Sequence, residues 1–105
     1  MKTIPIQETD LDFDYGTFDS AAFTKAALSS WQSLAAVIDH ALLKPDATRK
    51  QIEQLCSEAA HYRFACAMVN PVWASLAVRA LSGTGIPTGV VVGFPFGASL
   101  VSTLK

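Results

Sequence analysis

Two kinds of hydrophobic pattern alternate along the chain: short unbroken apolar runs, and stretches in which apolar residues return every three or four positions. Thr48-Arg49-Lys50-Gln51 opens the clearest stretch of the second kind. A Thr followed three residues later by Gln can form a capping box, in which the hydroxyl accepts from the Gln51 amide and the Gln side chain reaches back. Ile52, Leu55, Cys56, Ala59 and Ala60 then fall at i, i+3, i+4, i+7 and i+8, the stripe of an amphipathic helix, with His61 and Arg63 suited to its C-terminal end. Upstream, Ala21, Ala22, Lys25, Ala26, Ala27, Leu28 and Leu34 predict one helix over residues 20–36, with Asp19 or Ser20 able to cap it.

The apolar runs at residues 37–43, 64–69 and 86–92 predict three strands. Lys44-Pro45 stops the first, since proline disfavours the helical state of the residue before it. Asn70-Pro71 stops the second and offers an N-cap with proline at the first helical position, leading into a helix that carries Val72, Trp73, Leu76, Ala77, Ala80 and Leu81. That helix ends at Ser82-Gly83-Thr84-Gly85, where glycine can take the left-handed conformation. Gly93-Phe94-Pro95-Phe96-Gly97 closes the third run, and Ser99 is placed to cap a further helix. Strands apolar on both faces and separated by helices are expected of a parallel sheet covered by helices, hence an α/β fold. Periodicity alone leaves a barrel and a small doubly wound sheet both open.

Composition narrows the functional classes. Half of the 105 residues are hydrophobic and 16% are charged, enough apolar surface for one globular domain and too little charge for a disordered chain. The net charge of −1 argues against a nucleic-acid binder or a membrane-surface protein held by a basic footprint. Five of the nine acids (Glu8, Asp10, Asp12, Asp14 and Asp19) fall in residues 1–19 with Lys2 as the sole base, so that segment reads as an acidic arm preceding a domain at residues 20–105. The arm has neither the basic nor the apolar region of a secretory signal, and no run approaches the ~18 apolar residues of a membrane span. Cys56 and Cys66 match no redox or zinc spacing. A reducing, cytoplasmic setting is expected.

Among residues able to carry chemistry, Asp39 stands out as an acid within an apolar strand, where burial costs several kcal/mol unless the carboxylate is paired. It is either a satisfied structural carboxylate or, the favoured reading, a functional group at the C-terminal end of a parallel strand, where α/β ligand sites gather. His40 points to the opposite face and reads as structural. The run Asp10-Leu11-Asp12-Phe13-Asp14-Tyr15-Gly16 begins like a calcium loop, but its glycine comes one residue late and its twelfth position is Ala21, so no metal is expected. The glycines fit no nucleotide fingerprint. Lys44 reads as exposed, and none of Lys2, Lys25, Lys50 and Lys105 sits where a depressed pKa would make a nucleophile.

Taken together, VIDHALLKPDAT at residues 37–48, CAMVNP at 66–71 and VVVGFPFGA at 90–98 resemble the opening third of deoxyribose-phosphate aldolases, in the family's order and spacing over roughly residues 31–105. The resemblance implies a class I lyase on a (β/α)8 barrel, of which this chain would hold the first three strands after an extra N-terminal helix. It implies cofactor-free cleavage of 2-deoxy-D-ribose 5-phosphate to glyceraldehyde 3-phosphate and acetaldehyde through a lysine Schiff base, in deoxyribonucleotide catabolism. Asp39 corresponds to the family's first-strand aspartate, which can orient the reactive lysines or a substrate hydroxyl, and Leu43, Met68 and Phe94 to pocket-lining positions. The implied partner is a small phosphorylated sugar, with a homo-oligomer possible and neither nucleic acid nor membrane. The chain departs from the family at Ala41, usually Thr, and at Met68, often Cys. A whole barrel takes ~250 residues, so the family's Schiff-base lysine is expected beyond Lys105, within roughly 120–150 further codons. The 105 residues alone are then expected to be inactive, and the alternative is a non-catalytic half-barrel with a structural or partner-binding role.

Overall fold

The computed structural model describes residues 17–98. The acidic arm up to residue 16, the calcium-like run and the Ser99 cap lie outside them. The elements run α1 (Ser20–Ala27), α2 (Trp31–Ala35), β1 (Asp39–Leu42), α3 (Arg49–Tyr62), β2 (Cys66–Val69), a 3-10 turn (Pro71–Trp73), α4 (Ala74–Ala80) and β3 (Thr88–Val90). The three strands form one parallel sheet in the order β1-β2-β3. Strand and helix alternate as the pattern predicts.

Local chemistry fixes most boundaries. Asp19 caps α1 by accepting from the Ala22 amide at 3.0 Å. The single helix expected over residues 20–36 is two: Ser30 is extended and its hydroxyl accepts from the Ser33 amide at 3.1 Å, so a second N-cap interrupts the run that composition alone would continue. The capping box of α3 is complete, with the Gln51 amide donating to the Thr48 hydroxyl at 3.3 Å and the Thr48 amide donating to the Gln51 side chain at 2.9 Å. Arg63 ends α3 in the left-handed conformation, and its guanidinium donates to the Thr84 carbonyl at 2.6 Å, joining the loops that enter β2 and β3. Gly83 and Gly85, both with φ near +80°, make the turn after α4.

The core lies on one side of the sheet. The α3 stripe of Ile52, Leu55, Cys56 and Ala59 packs with Ala77 and Leu81 from the α4 region over Ala67 and Val69 of β2, the central strand. Ile52 and Val69 are completely buried, each contributing roughly 1.5–3 kcal/mol relative to exposure. Although the strands are apolar on both faces, helices cover only one of them among the described residues. Pairing sets Asp39 beside Cys66, and Ala41, Met68 and Gly89 in one row, on the face opposite the core. Asp39 and Ala41 are exposed there, while Cys66 and Met68 are half-buried, because no helix covers this face among the described residues. Strand apolarity therefore reports two different environments.

Candidate active site

Two of the proposed site residues, Asp39 and Met68, lie on the uncovered face. Asp39 is the first residue of β1 and so stands at the strand's N-terminal end, not at the C-terminal end expected, while Met68 lies on the same face of β2, two residues beyond Asp39's ladder partner Cys66. Asp39 is exposed, which removes the premise of a costly buried acid and leaves a carboxylate free to meet a ligand. Its environment still contains one specific contact: the Cys66 thiol donates to Asp39 Oδ1 at 3.1 Å. Burial and the adjacent carboxylate both disfavour the thiolate, pushing the Cys66 pKa up to about 11.

Gly89 faces the same row. A Cβ there would lie 2.9 Å from Met68 Sδ and 3.6 Å from Cys66 Sγ, so the absence of a side chain on β3 makes room for two sulfur-bearing side chains from β2. Leu43 follows β1 and is half-buried. Its carbonyl accepts from Asn70 Nδ2 at 3.1 Å, joining the C-terminal ends of β1 and β2. This corrects the expectation that Asn70 caps the next helix: its side chain makes no cap bond, and the chain enters α4 through the 3-10 turn instead. Phe94 is exposed in the loop after β3, flanked by Gly93 and Gly97 with positive φ. Asp39, Met68, Leu43 and Phe94 thus come from the three successive strands or their following loops.

His40 lies on the other face, as strand alternation requires. Its Nε2 is 2.7 Å from Glu58 Oε2, and its ring stacks on Phe64 with centroids 4.7 Å apart. Gln54 donates to the second Glu58 oxygen at 3.1 Å, and the bonds from His40 and Gln54 hold the Glu58 carboxyl below its ordinary range. A cleft of about 360 Å³ beside these residues is lined by His40, Lys44, Gln54 and Glu58 among others and includes none of Asp39, Leu43, Met68 and Phe94. Cys66 and Asn70 are the site residues that sequence reasoning missed. Cys66 carried a signal, its period-two spacing from Met68, but its contact with Asp39 depends on the register between strands.

Three parallel strands, each leading into a segment at its C-terminal end, with polar groups on the face away from the helices, define part of a (β/α) barrel scaffold. No family model matches the chain. It is 52% identical over 62 residues to the deoxyribose-phosphate aldolase of Clostridium tetani, covering 59% of this chain and 29% of that protein. With the Bacillus subtilis deoxyribose-phosphate aldolase it shares 46% identity over 71 residues, 68% of this chain and 32% of the relative. The fold superposes on part of a tetrameric deoxyribose-phosphate aldolase from Aeropyrum pernix with a TM-score of 0.71 and 31% identity, covering 79% of this chain and 36% of that one. The chain is a partial, N-terminal-like homologue of deoxyribose-phosphate aldolases, spanning about a third of the length of the curated relatives it matches. No helix among the described residues is long and apolar enough to cross a membrane.

Proposed function

We propose that the chain supplies the first three strands of a deoxyribose-phosphate aldolase active site, acting on 2-deoxy-D-ribose 5-phosphate in the cytoplasm. The identity of 46% over 71 residues to a relative of that activity carries this reading. In it, Asp39 is the supporting catalytic carboxylate, which orients a reactive lysine or a substrate hydroxyl by charge and hydrogen bonding. Leu43, Met68 and Phe94 line the pocket around the sugar. Lys25 lies on α1, Lys44 after β1 and Lys50 on α3, so none of them stands on the uncovered strand face where an amine could attack the substrate carbonyl. The Schiff-base lysine, its tuning partner and the phosphate site come from the rest of the barrel. A homo-oligomer is in keeping with the tetrameric Aeropyrum relative.

Fragment complementation tests this reading. The chain is combined with the Bacillus subtilis enzyme lacking its matching segment, and release of acetaldehyde from deoxyribose 5-phosphate is followed. The expected result is activity from the mixture and from neither part alone, with Asp39→Asn lowering kcat by at least about a hundredfold. A folded complex without activity, or full activity with Asp39→Asn, would overturn the assignment. Borohydride trapping followed by intact mass measurement should place the adduct on the complementing segment and leave Lys44 unmodified.

A further inference from the structure

We propose that Cys66 is a positioning residue for Asp39, holding its carboxylate in place on the uncovered face of the sheet. The proposal rests on the aldolase reading for the role of Asp39, but the contact itself does not. Asp39 and Cys66 are ladder partners between β1 and β2, so the backbone register sets their side chains next to each other on one face. The thiol closes that gap by donating to Oδ1 at 3.1 Å. On the other flank of β2, Gly89 offers bare backbone, and a side chain there would crowd Met68 and come into van der Waals contact with Cys66. The register on one side and the glycine on the other fix where the thiol lies. An exposed carboxylate gains from such a contact, since a single donor restricts its rotamers without removing it from solvent.

The effect is reciprocal. Asp39 of β1 is the charged group beside Cys66, and β3, the other neighbouring strand, carries no titratable residue between Thr88 and Val90. With its pKa raised to about 11, the thiol stays protonated at neutral pH and keeps its hydrogen available to the carboxylate. Cys56 is separated from this pair, buried in the core beneath α3.

Two measurements test the proposal. In the first, alkylation of Cys66 by iodoacetamide is followed by peptide mass against pH in the 105-residue chain, with the infrared S–H stretch as a second signal. Asp39→Ala should lower the alkylation midpoint from about 11 part of the way towards the ordinary thiol value of 9.0, burial keeping the rest of the rise, and raise the S–H stretching frequency. An unchanged midpoint together with an unchanged S–H band would show that the bond is not made. In the second, within the complemented enzyme, Cys66→Ala should lower kcat about tenfold with KM little changed, whereas Cys66→Ser, which retains a donor, should stay within about twofold of the original. Full activity of Cys66→Ala would overturn the positioning role. The first measurement uses no sugar phosphate, so loss of the contact and failure of the aldolase reading are separately visible.

Discussion

On β2, Ala67 and Val69 are completely buried, while Cys66 and Met68, each one residue away, are half-buried on the opposite face beside the exposed Asp39 and Ala41. The helix-covered side is close-packed and almost wholly apolar. The uncovered side holds a carboxylate, a thiol, a thioether and a glycine. Stability is concentrated where α3 and α4 exclude water, which leaves the other side able to carry polar groups whose choice is governed by ligand chemistry. Substitutions on the two sides should therefore differ in kind.

The largest effect is expected at the buried side. Ile52→Ala should destabilise the chain by about 2–5 kcal/mol, measured as a lower midpoint of urea unfolding, because Ile52 is fully buried at the centre of the α3 stripe. A cost below about 1 kcal/mol would show that this core is not close-packed. Thr48→Ala, which removes the cap of the covering helix, should cost about 1 kcal/mol in the same assay. On the uncovered face, Asp39→Asn should stay within about 0.5 kcal/mol of the parent, since the residue is exposed and makes a single side-chain contact. A large loss there would erase the contrast between the faces.

The smallest effect concerns Glu58, half-buried at the edge of the covered side. Its carboxyl titrates below its ordinary 4.5, chiefly through the bond to His40 and then that from Gln54. A depressed carboxyl pKa stabilises the fold above the unfolded value, and that contribution is lost as pH falls through the folded value. His40→Leu should move the Glu58 titration midpoint, followed by carbon NMR of the carboxyl, upwards towards 4.5 and reduce the acid sensitivity of unfolding below that pH. An unmoved midpoint would separate Glu58 from His40.

The same contrast explains what could be read from the residues. Helix α3 was legible in full, cap and stripe together, because a capping box and a 3.6-residue period are local signals. The three strands are legible as apolar runs, but each is shorter than its run: Asp39–Leu42 within residues 37–43, Cys66–Val69 within 64–69 and Thr88–Val90 within 86–92. What no run could distinguish was which face the helices cover, because apolar residues occupy both. The break between α1 and α2 was obscured by good helix formers on either side of a Ser30 that prefers to cap. The apolar run points to a buried Asp39 at the C-terminal end of its strand, whereas the residue is exposed and is the first of β1, because pairing begins two residues into the run. The Asn70 side chain looked like a helix cap because its alternative acceptor, the Leu43 carbonyl, lies 27 positions earlier in the chain.

That bond also bears on how the scaffold could be rebuilt. Asn70 Nδ2 ties the end of β2 to the backbone at Leu43, so the segment up to Leu43 and the start of the next connection form one crosslinked rim. An engineer lengthening the connection between β1 and α3 would do best to insert residues between Pro45 and Asp46, both exposed and ahead of Ala47, which packs against the core. An insertion before Leu43 would shift the acceptor out of reach and leave the amide to find another partner. Loop grafts at the two sites thus provide a graded pair, one changing the contour of the rim and the other its anchorage.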